Sequence, residues 1–433
     1  MSIVGVITIG MLLLLILLKV PVGAAMAAIG MGGLVYLSGL KSALGVLETS
    51  VYSSLSSYSM SVVPLFILMG YFAFYSGISR DLYRAANIWL GRLRGGLAMG
   101  TVVGCAGFAA CCGSSVATGA TMAAVALPEM RRYGYADSLI TGTLGAGGTI
   151  GILIPPSICF VVYGIITEQS IGKLFIAGIL PGIMEALFYI LTIYILCRLK
   201  PEIASMRMQQ QTTVKEKLRA LGNVWAVVLL FVLVIGGIYG GIFTPTEAGA
   251  VGSFGALVLL LVKGEFSRQN IAAALFESGQ TTAMVFFIFI GATIFGYLLA
   301  VSQLPMQISG WVSALPLSRF GILTGILLIF IFLGTIMDTL AIIMLVVPIV
   351  FPAILELGFD PIWFGVIMAR ISEIGLITPP VGLNVYVIKG VAQDVPLSTI
   401  FSGIVPFLIA DCVGVTLLIA FPEISLFLPN LIK

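Results

Sequence analysis

The sequence predicts an all-α polytopic membrane protein built from two inverted repeats, each pairing a re-entrant helical hairpin with a proline-broken helix. Three observations carry that prediction. Of 433 residues, 60% are hydrophobic and only 9% charged, whereas soluble domains carry about a quarter charged residues. Two apolar stretches, 95–127 and 320–352, are too long for one crossing and hold a small polar cluster at their centres. Glycines and prolines also recur in a single register, 224 residues apart.

In chain order, apolar windows of about 19 residues place helices near 3–18, 20–38, 60–77, 138–167, 174–199, 223–240, 246–262, 281–302, 361–390 and 399–421. With connections, the length allows roughly ten to twelve crossings. The first apolar run lacks a charged segment before it and a cleavage motif after it, and so reads as a retained helix rather than a signal peptide. The clusters Cys112-Gly113-Ser114-Ser115 and Gly334-Thr335-Ile336-Met337-Asp338 suggest hairpin tips at membrane depth. Non-helical backbone is tolerated there only inside protein or beside a wet cavity. Segments 79–94 and 264–280 mix charge with Leu, Trp or Phe and suit interfacial helices.

Charge orients the chain. With both flanks of the first hairpin cytoplasmic, all of the 21 Lys and Arg except Lys41, Lys173, Arg319, Lys433 and the intramembrane Arg370 fall on that side. This obeys the positive-inside rule with both termini outside. The organisation expected is N-terminal scaffold helices over 1–59, a first repeat over 60–199 and a cytoplasmic loop over 200–222. Scaffold helices and an interfacial arm follow over 223–280, then a second repeat over 281–421 and a tail over 422–433.

The repeat pairs Pro128 with Pro352, Gly134 with Gly358, Gly151 with Gly375, Pro155 with Pro379 and Pro156 with Pro380, and lays Ser114 on Asp338. After a one-residue slip, Gly178 and Pro181 match Gly403 and Pro406. Under the charge-derived topology the two hairpins open to opposite sides, so the repeats are inverted. Inverted repeats with interrupted helices describe secondary transporters, whose sites lie near the midplane. Consecutive prolines remove two amide donors and force the preceding residue out of the helix. The carbonyls so freed can replace the water around a hard cation such as Na⁺; the competing reading is a pair of structural kinks.

Histidine is absent, which excludes His-ligated zinc, Ser-His-Asp chemistry and histidine proton relays. The six cysteines lie in apolar stretches without CxxC spacing and read as small buried hydrophobes. A net charge of +3 gives no nucleic-acid footprint. The run Gly145-Ala-Gly147-Gly148 has no strand before it, so it is not a nucleotide loop. An intramembrane enzyme finds no nucleophile–base pair. A channel would be set apart by flux that does not saturate.

Read together and in order, Gly113-Ser-Ser-Val-Ala-Thr118, Ile154-Pro-Pro-Ser157, Thr244-Pro-Thr-Glu-Ala248, Gly334-Thr-Ile-Met-Asp338 and Ile374-Gly-Leu-Ile-Thr-Pro-Pro-Val-Gly382 resemble the large membrane subunit of TRAP transporters (tripartite ATP-independent periplasmic transporters, DctM type). The resemblance runs nearly end to end. It implies an elevator transporter in a bacterial inner membrane that couples Na⁺ entry to uptake of a small organic anion. It also implies a small DctQ-type membrane subunit and a periplasmic DctP-type binding protein as partners. The apolar runs leave no room for a fused small subunit. Carried onto matching positions, one sodium site uses Ala109, Cys112, Gly151, Ile154 and Pro156. The other uses Gly334, Gly375, Thr378 and Val381. Serine is more usual in the family at the Cys112 position, which matters little if the carbonyl is the ligand. Thr244–Glu247 also has a purely local role as a capping box. A standalone symporter needing no binding protein is the nearest rival.

Ionisable groups within spans are costly and mark function by default; here they are Glu185, Asp338, Arg370, Glu373 and Asp411. Arg370 offers a planar fork for a carboxylate or sulfonate, or an ion pair with Glu373 or Asp338. Asp338 is a candidate to bind substrate, support a sodium site or cap the next helix. Ser114, Ser115 and Thr118 present hydroxyls at the other tip, and Asn384 follows the second break; with Asp338 and Arg370 they are the substrate-binding candidates. Glu185 and Asp411, in corresponding helices, suit structural pairing.

Overall fold

The structure is a computed structural model that describes residues 2–204, 213–313 and 315–431; residues 205–212 of the expected cytoplasmic loop lie outside it. Every element among the described residues is helical. The N-terminal helices are α1 (Ser2–Leu17), α2 (Val22–Ser38), α3 (Leu40–Ser56), α4 (Val62–Tyr75) and α5 (Ile78–Leu90). The first hairpin is α6 (Gly96–Cys112) and α7 (Ser115–Arg132). The first broken helix is α8 (Asp137–Thr149) and α9 (Ile158–Thr167), followed by α10 (Ile171–Leu199). Next come α11 (Val214–Gly222), α12 (Trp225–Phe231), α13 (Gly237–Tyr239), α14 (Pro245–Val262), α15 (Arg268–Ser302) and α16 (Leu304–Ser313). The second hairpin is α17 (Arg319–Gly334) and α18 (Thr339–Glu356); the second broken helix is α19 (Pro361–Ile377) and α20 (Leu383–Val391). Then α21 (Leu397–Ala420) and α22 (Glu423–Asn430) close the chain.

Six described helices, or seven counting one bent pair as a span, are long and apolar enough to cross a membrane. Leu14, Phe254, Phe276, Phe332 and Ile409 are among the large apolar side chains left exposed, a surface that only lipid can cover without cost. The chain is therefore a multi-pass membrane protein.

Four expectations change. Residues 264–302 do not form an interfacial arm followed by a separate span. Ser267 caps a single 35-residue helix, α15, because no proline interrupts it and its three separated glycines, Gly279, Gly291 and Gly296, are each tolerated inside a helix. Helix α3 went unread because Ser and Glu dilute its apolar face. The expected tail contains α22, which packs against α10. Cys412, read as buried, is exposed on α21, where an apolar environment suits a thiol as well as the core does.

Helix packing crosses between the repeats. In the first hairpin α7 packs on α8 and on α20, while in the second α18 packs on α19 and on α9. Each hairpin thus touches the half-helix of the opposite repeat. Elsewhere α2 lies along α15, and α4 lies against α14 and α15. The matched prolines also occupy equivalent places: Pro128 is inside α7 and Pro352 inside α18, while Pro181 is inside α10 and Pro406 inside α21.

Outside the apolar bundle, Arg131 at the end of α7 joins Asp137 and Asp394, each at 2.8 Å. It ties the hairpin to the start of α8 and to the loop after α20. Its hydrogen bond to Asp394 holds that carboxyl below the ordinary aspartate range. A carboxyl lowered on folding stabilises above its unfolded value and loses that contribution as pH falls through its folded value. Asp394→Asn is therefore expected to lower the neutral-pH melting temperature slightly, as suits an exposed pair, and by the same amount to flatten its loss below about pH 4. Parallel wild-type and variant slopes in thermal unfolding would contradict this.

Candidate functional site

Both hairpin tips pass into their second helix through a side-chain N-cap. Gly113 ends α6 in the left-handed region at φ +63°, and its amide donates to the Ala109 carbonyl at 3.0 Å. A Cβ there would stand 2.2 Å from the Pro156 carbonyl oxygen, so only glycine lets the tip reach the break. Ser114 caps α7 by accepting from Ala117 N–H, and Asp338 caps α18 by accepting from Leu340 and Ala341 N–H at 3.0 and 3.1 Å. The register-matched pair Ser114 and Asp338 are thus both N-caps, which accounts for Asp338 in local terms.

Each tip meets a break. In the first repeat, Ile158 N–H donates to the Gly113 carbonyl at 3.4 Å. A Cβ on Gly151 would touch Thr118 Oγ1 at 3.0 Å and the Ser114 carbonyl oxygen at 3.2 Å. Ala109, Cys112, Gly151 and Pro156 therefore gather around one junction, with half-buried Ile154 in the break beside them. In the second repeat Gly334 and Gly375 are in backbone contact, a Cβ on Gly375 falling 2.6 Å from the Gly334 Cα. Gly382 N–H donates to the Thr335 carbonyl at 3.3 Å, and Thr378 N–H to that of Gly375 at 3.0 Å. Val381 sits at the rim, 38% exposed.

The hydroxyls of the first tip point in different directions. Ser114, Ala117 and Thr121 line a cavity of about 240 Å³, whose other wall comes from α4 and α15. Across it, Tyr71 and Thr281 share a hydrogen bond at 3.0 Å, and Tyr75 O–H donates to Glu277 Oε1 at 2.8 Å. Ser115 and Thr118 face the other way and are buried; Ser115 donates to Glu373. Asn384 is buried at the start of α20, its amide N and O both without hydrogen-bond partners among the described residues.

Arg370 is 2% exposed. It pairs with Glu185 at 2.7 Å and with Asp411, rather than with Glu373 or Asp338. Its Nη2 also donates to Tyr189 O–H at 2.9 Å, and its Nη1 to Thr149 Oγ1 at 3.3 Å. The guanidinium therefore joins α19 to α10, α21 and the last turn of α8. The sequence suited Glu185 and Asp411 each to structural pairing but did not join them to Arg370, which lies before the second break whereas each of them follows a break. Tyr71, Tyr75, Thr281 and Glu277 escaped notice because their meeting depends on how α4 packs along α15.

Helical in every element of the described residues, with paired hairpins set against interrupted helices, the chain has the architecture of a membrane transporter. It shares its fold with the crystal structure of the Alcanivorax borkumensis YdaH transporter, at a TM-score of 0.66 and 15% identity over 98% of this chain and 99% of that one. Residues 9–424 match the family described as tripartite ATP-independent periplasmic transporter, DctM component. The chain belongs to that family: it is a TRAP transporter large permease subunit and not an enzyme. It is 40% identical to the C4-dicarboxylate TRAP transporter large permease protein DctM of Pseudomonas aeruginosa, over 89% of each chain. It is 36% identical to the isethionate TRAP transporter permease protein DctMQ of Oleidesulfovibrio alaskensis, over 79% of this chain and 54% of that one.

Proposed function

We propose that this subunit carries a small organic anion, a carboxylate or sulfonate, into the cell by symport with Na⁺ in an elevator mechanism. The observation that carries the reading is the matched pair of junctions where a hairpin tip meets a proline-opened backbone. Carbonyls at a tip and a break keep a spare lone pair even where they accept one amide, as at Ala109 and Gly375, and in apolar surroundings they suit a hard monovalent cation. Ala109, Cys112, Gly151, Ile154 and Pro156 would form one such site, and Gly334, Gly375, Thr378 and Val381 the other. Bound Na⁺ ties each re-entrant tip to its break and offsets substrate charge, so the two ligands favour each other by linkage.

The cavity beside Ser114 is the proposed substrate position in this conformation. The N-terminal end of α7 lies at its wall, where a helix dipole favours an anion, and the Tyr71–Thr281 and Tyr75–Glu277 pairs supply polar groups opposite. Arg370, held by two carboxylates, is assigned to the frame of the mobile unit. Asp338, Ser115, Thr118 and Asn384 support the tips behind that wall. The hairpins and broken helices move together against a scaffold of α1–α4 and α14–α16. The C4-dicarboxylate and isethionate TRAP transporters among its relatives support this class of substrate. A DctQ-type small subunit and a DctP-type binding protein complete the system, in a bacterial inner membrane with both termini periplasmic.

The test is uptake in proteoliposomes holding this chain with its small subunit, with and without an inward Na⁺ gradient and with and without binding protein. Candidate anions are first screened by thermal shift on the binding protein. Uptake that needs both is the expected result. Uptake on Na⁺ alone would remove the binding-protein assignment, and uptake indifferent to Na⁺ would remove the symport.

A further inference from the structure

Glu373 is fully buried on α19, close to where both hairpins begin their second helices. Its Oε1 accepts two hydrogen bonds, from Ser115 Oγ at 3.0 Å and from Thr339 Oγ1 at 3.0 Å. Those hydroxyls stand 224 residues apart, the spacing of the repeat, and each belongs to the first residue of its helix after the tip. One carboxylate oxygen therefore joins equivalent points of the two hairpins.

The other oxygen, Oε2, is buried with no hydrogen-bond partner among the described residues. No ion pair to Glu373 occurs among the described residues. Arg370, one helical turn away, already faces two carboxylates, Glu185 and Asp411. A buried carboxylate without a counter-charge is costly, and adding it leaves one guanidinium among three buried acids. Among the described residues, further buried polar atoms without hydrogen-bond partners lie on α7 and on a helix packed against it. Thr118 Oγ1 is one turn along α7 from Ser115, and the Asn384 amide is on α20, which packs on α7.

We propose that Glu373 Oε2, with the lone pairs of the Ser115 and Thr339 hydroxyl oxygens, holds a further Na⁺, separate from the two backbone-carbonyl sites. The inference rests on the sodium-coupled reading above. One carboxylate with neutral hydroxyls matches a single positive charge; divalent calcium sites gather several carboxylates, and no cluster of that kind occurs among the described residues. The ion neutralises the uncompensated acid and locks both tips to α19, so that hairpin closure depends on a cation at their point of symmetry.

The test counts bound ²²Na⁺ per chain at saturation on the purified full-length protein in lipid nanodiscs, which requires no knowledge of the substrate. Wild type is expected to bind one ion more than the two carbonyl sites provide, and Glu373→Gln one ion fewer than wild type. Glu373→Asp keeps the charge and is expected to keep the full count at several-fold weaker affinity. Wild type saturating at the two carbonyl sites overturns the inference outright, even where Glu373→Gln does not fold. An equal count in wild type and Glu373→Gln also overturns it, as it does if a proton neutralises the acid instead. A wild-type count of zero removes the sodium reading itself, and this inference with it.

Discussion

Replacing Pro379 and Pro380 together by alanine is expected to abolish sodium-dependent uptake while leaving the protein folded and its melting temperature unchanged or higher. The two prolines separate α19, ending at Ile377, from α20, starting at Leu383. Proline disfavours a helix interior by about 3 kcal/mol relative to alanine, so its removal lets one continuous helix compete with the open backbone. The Gly375 carbonyl, which already accepts from Thr378 N–H, would take up a restored amide at position 379, the Thr378 carbonyl would face that of Gly382 in a continuous helix, and both would cease to be available to a cation. A loss of about 2.7 kcal/mol of ion binding corresponds to roughly a hundredfold in affinity, enough to silence transport at ordinary Na⁺. The pairing of raised or unchanged stability with lost uptake separates this effect from misfolding. Uptake and its Na⁺ dependence are measured in proteoliposomes beside thermal unfolding of the same preparation. Retained uptake with unaltered Na⁺ dependence would sink the carbonyl-site reading.

Pro155→Ala with Pro156→Ala makes the complementary case, because Gly113 approaches the Pro156 carbonyl through hard backbone contact. There the tip would have to move as well as the helix rewind.

What could be read in the sequence was local and periodic. The breaks were legible because proline acts on its own backbone, and the tips because polar residues midway through an apolar stretch need shelter. The register placing Ser114 on Asp338 was visible too, and both are N-caps in the structure. What escaped was whatever depends on rotation of one helix about its axis relative to another. Ser114 and Ser115 are neighbours in sequence, yet one lines a cavity and the other reaches Glu373. The Arg370 cluster draws on α8, α10, α19 and α21; hydropathy sees each of those as a span and says nothing of which faces meet. Continuity of α15 was missed for a related reason, since charge within its first turns marks depth in the membrane rather than a break in the helix.

Arg370→Ala is expected to lower stability by about 3–5 kcal/mol, the range found when one partner of a buried ion pair is removed. The guanidinium is 2% exposed and faces Glu185 and Asp411, which are 5% and 2% exposed. Without it two acids remain in the bundle with no opposing charge, and Tyr189 and Thr149 lose their donor. Arg370→Lys keeps a charge but not the fork that reaches several partners at once, and so should fall between wild type and alanine. The decisive variant removes the acids as well. Arg370→Met combined with Glu185→Gln and Asp411→Asn leaves no net charge behind and is expected to recover most of the lost melting temperature, as neutral replacement of buried ion clusters often does. Binding separates this frame-holding role from a substrate role. If Arg370→Ala melts as wild type does but no longer responds to the transported anion, the guanidinium serves substrate and the cluster must open during transport. If it melts early and the triple variant restores both stability and uptake, Arg370 is the pin that holds the second broken helix to its neighbours.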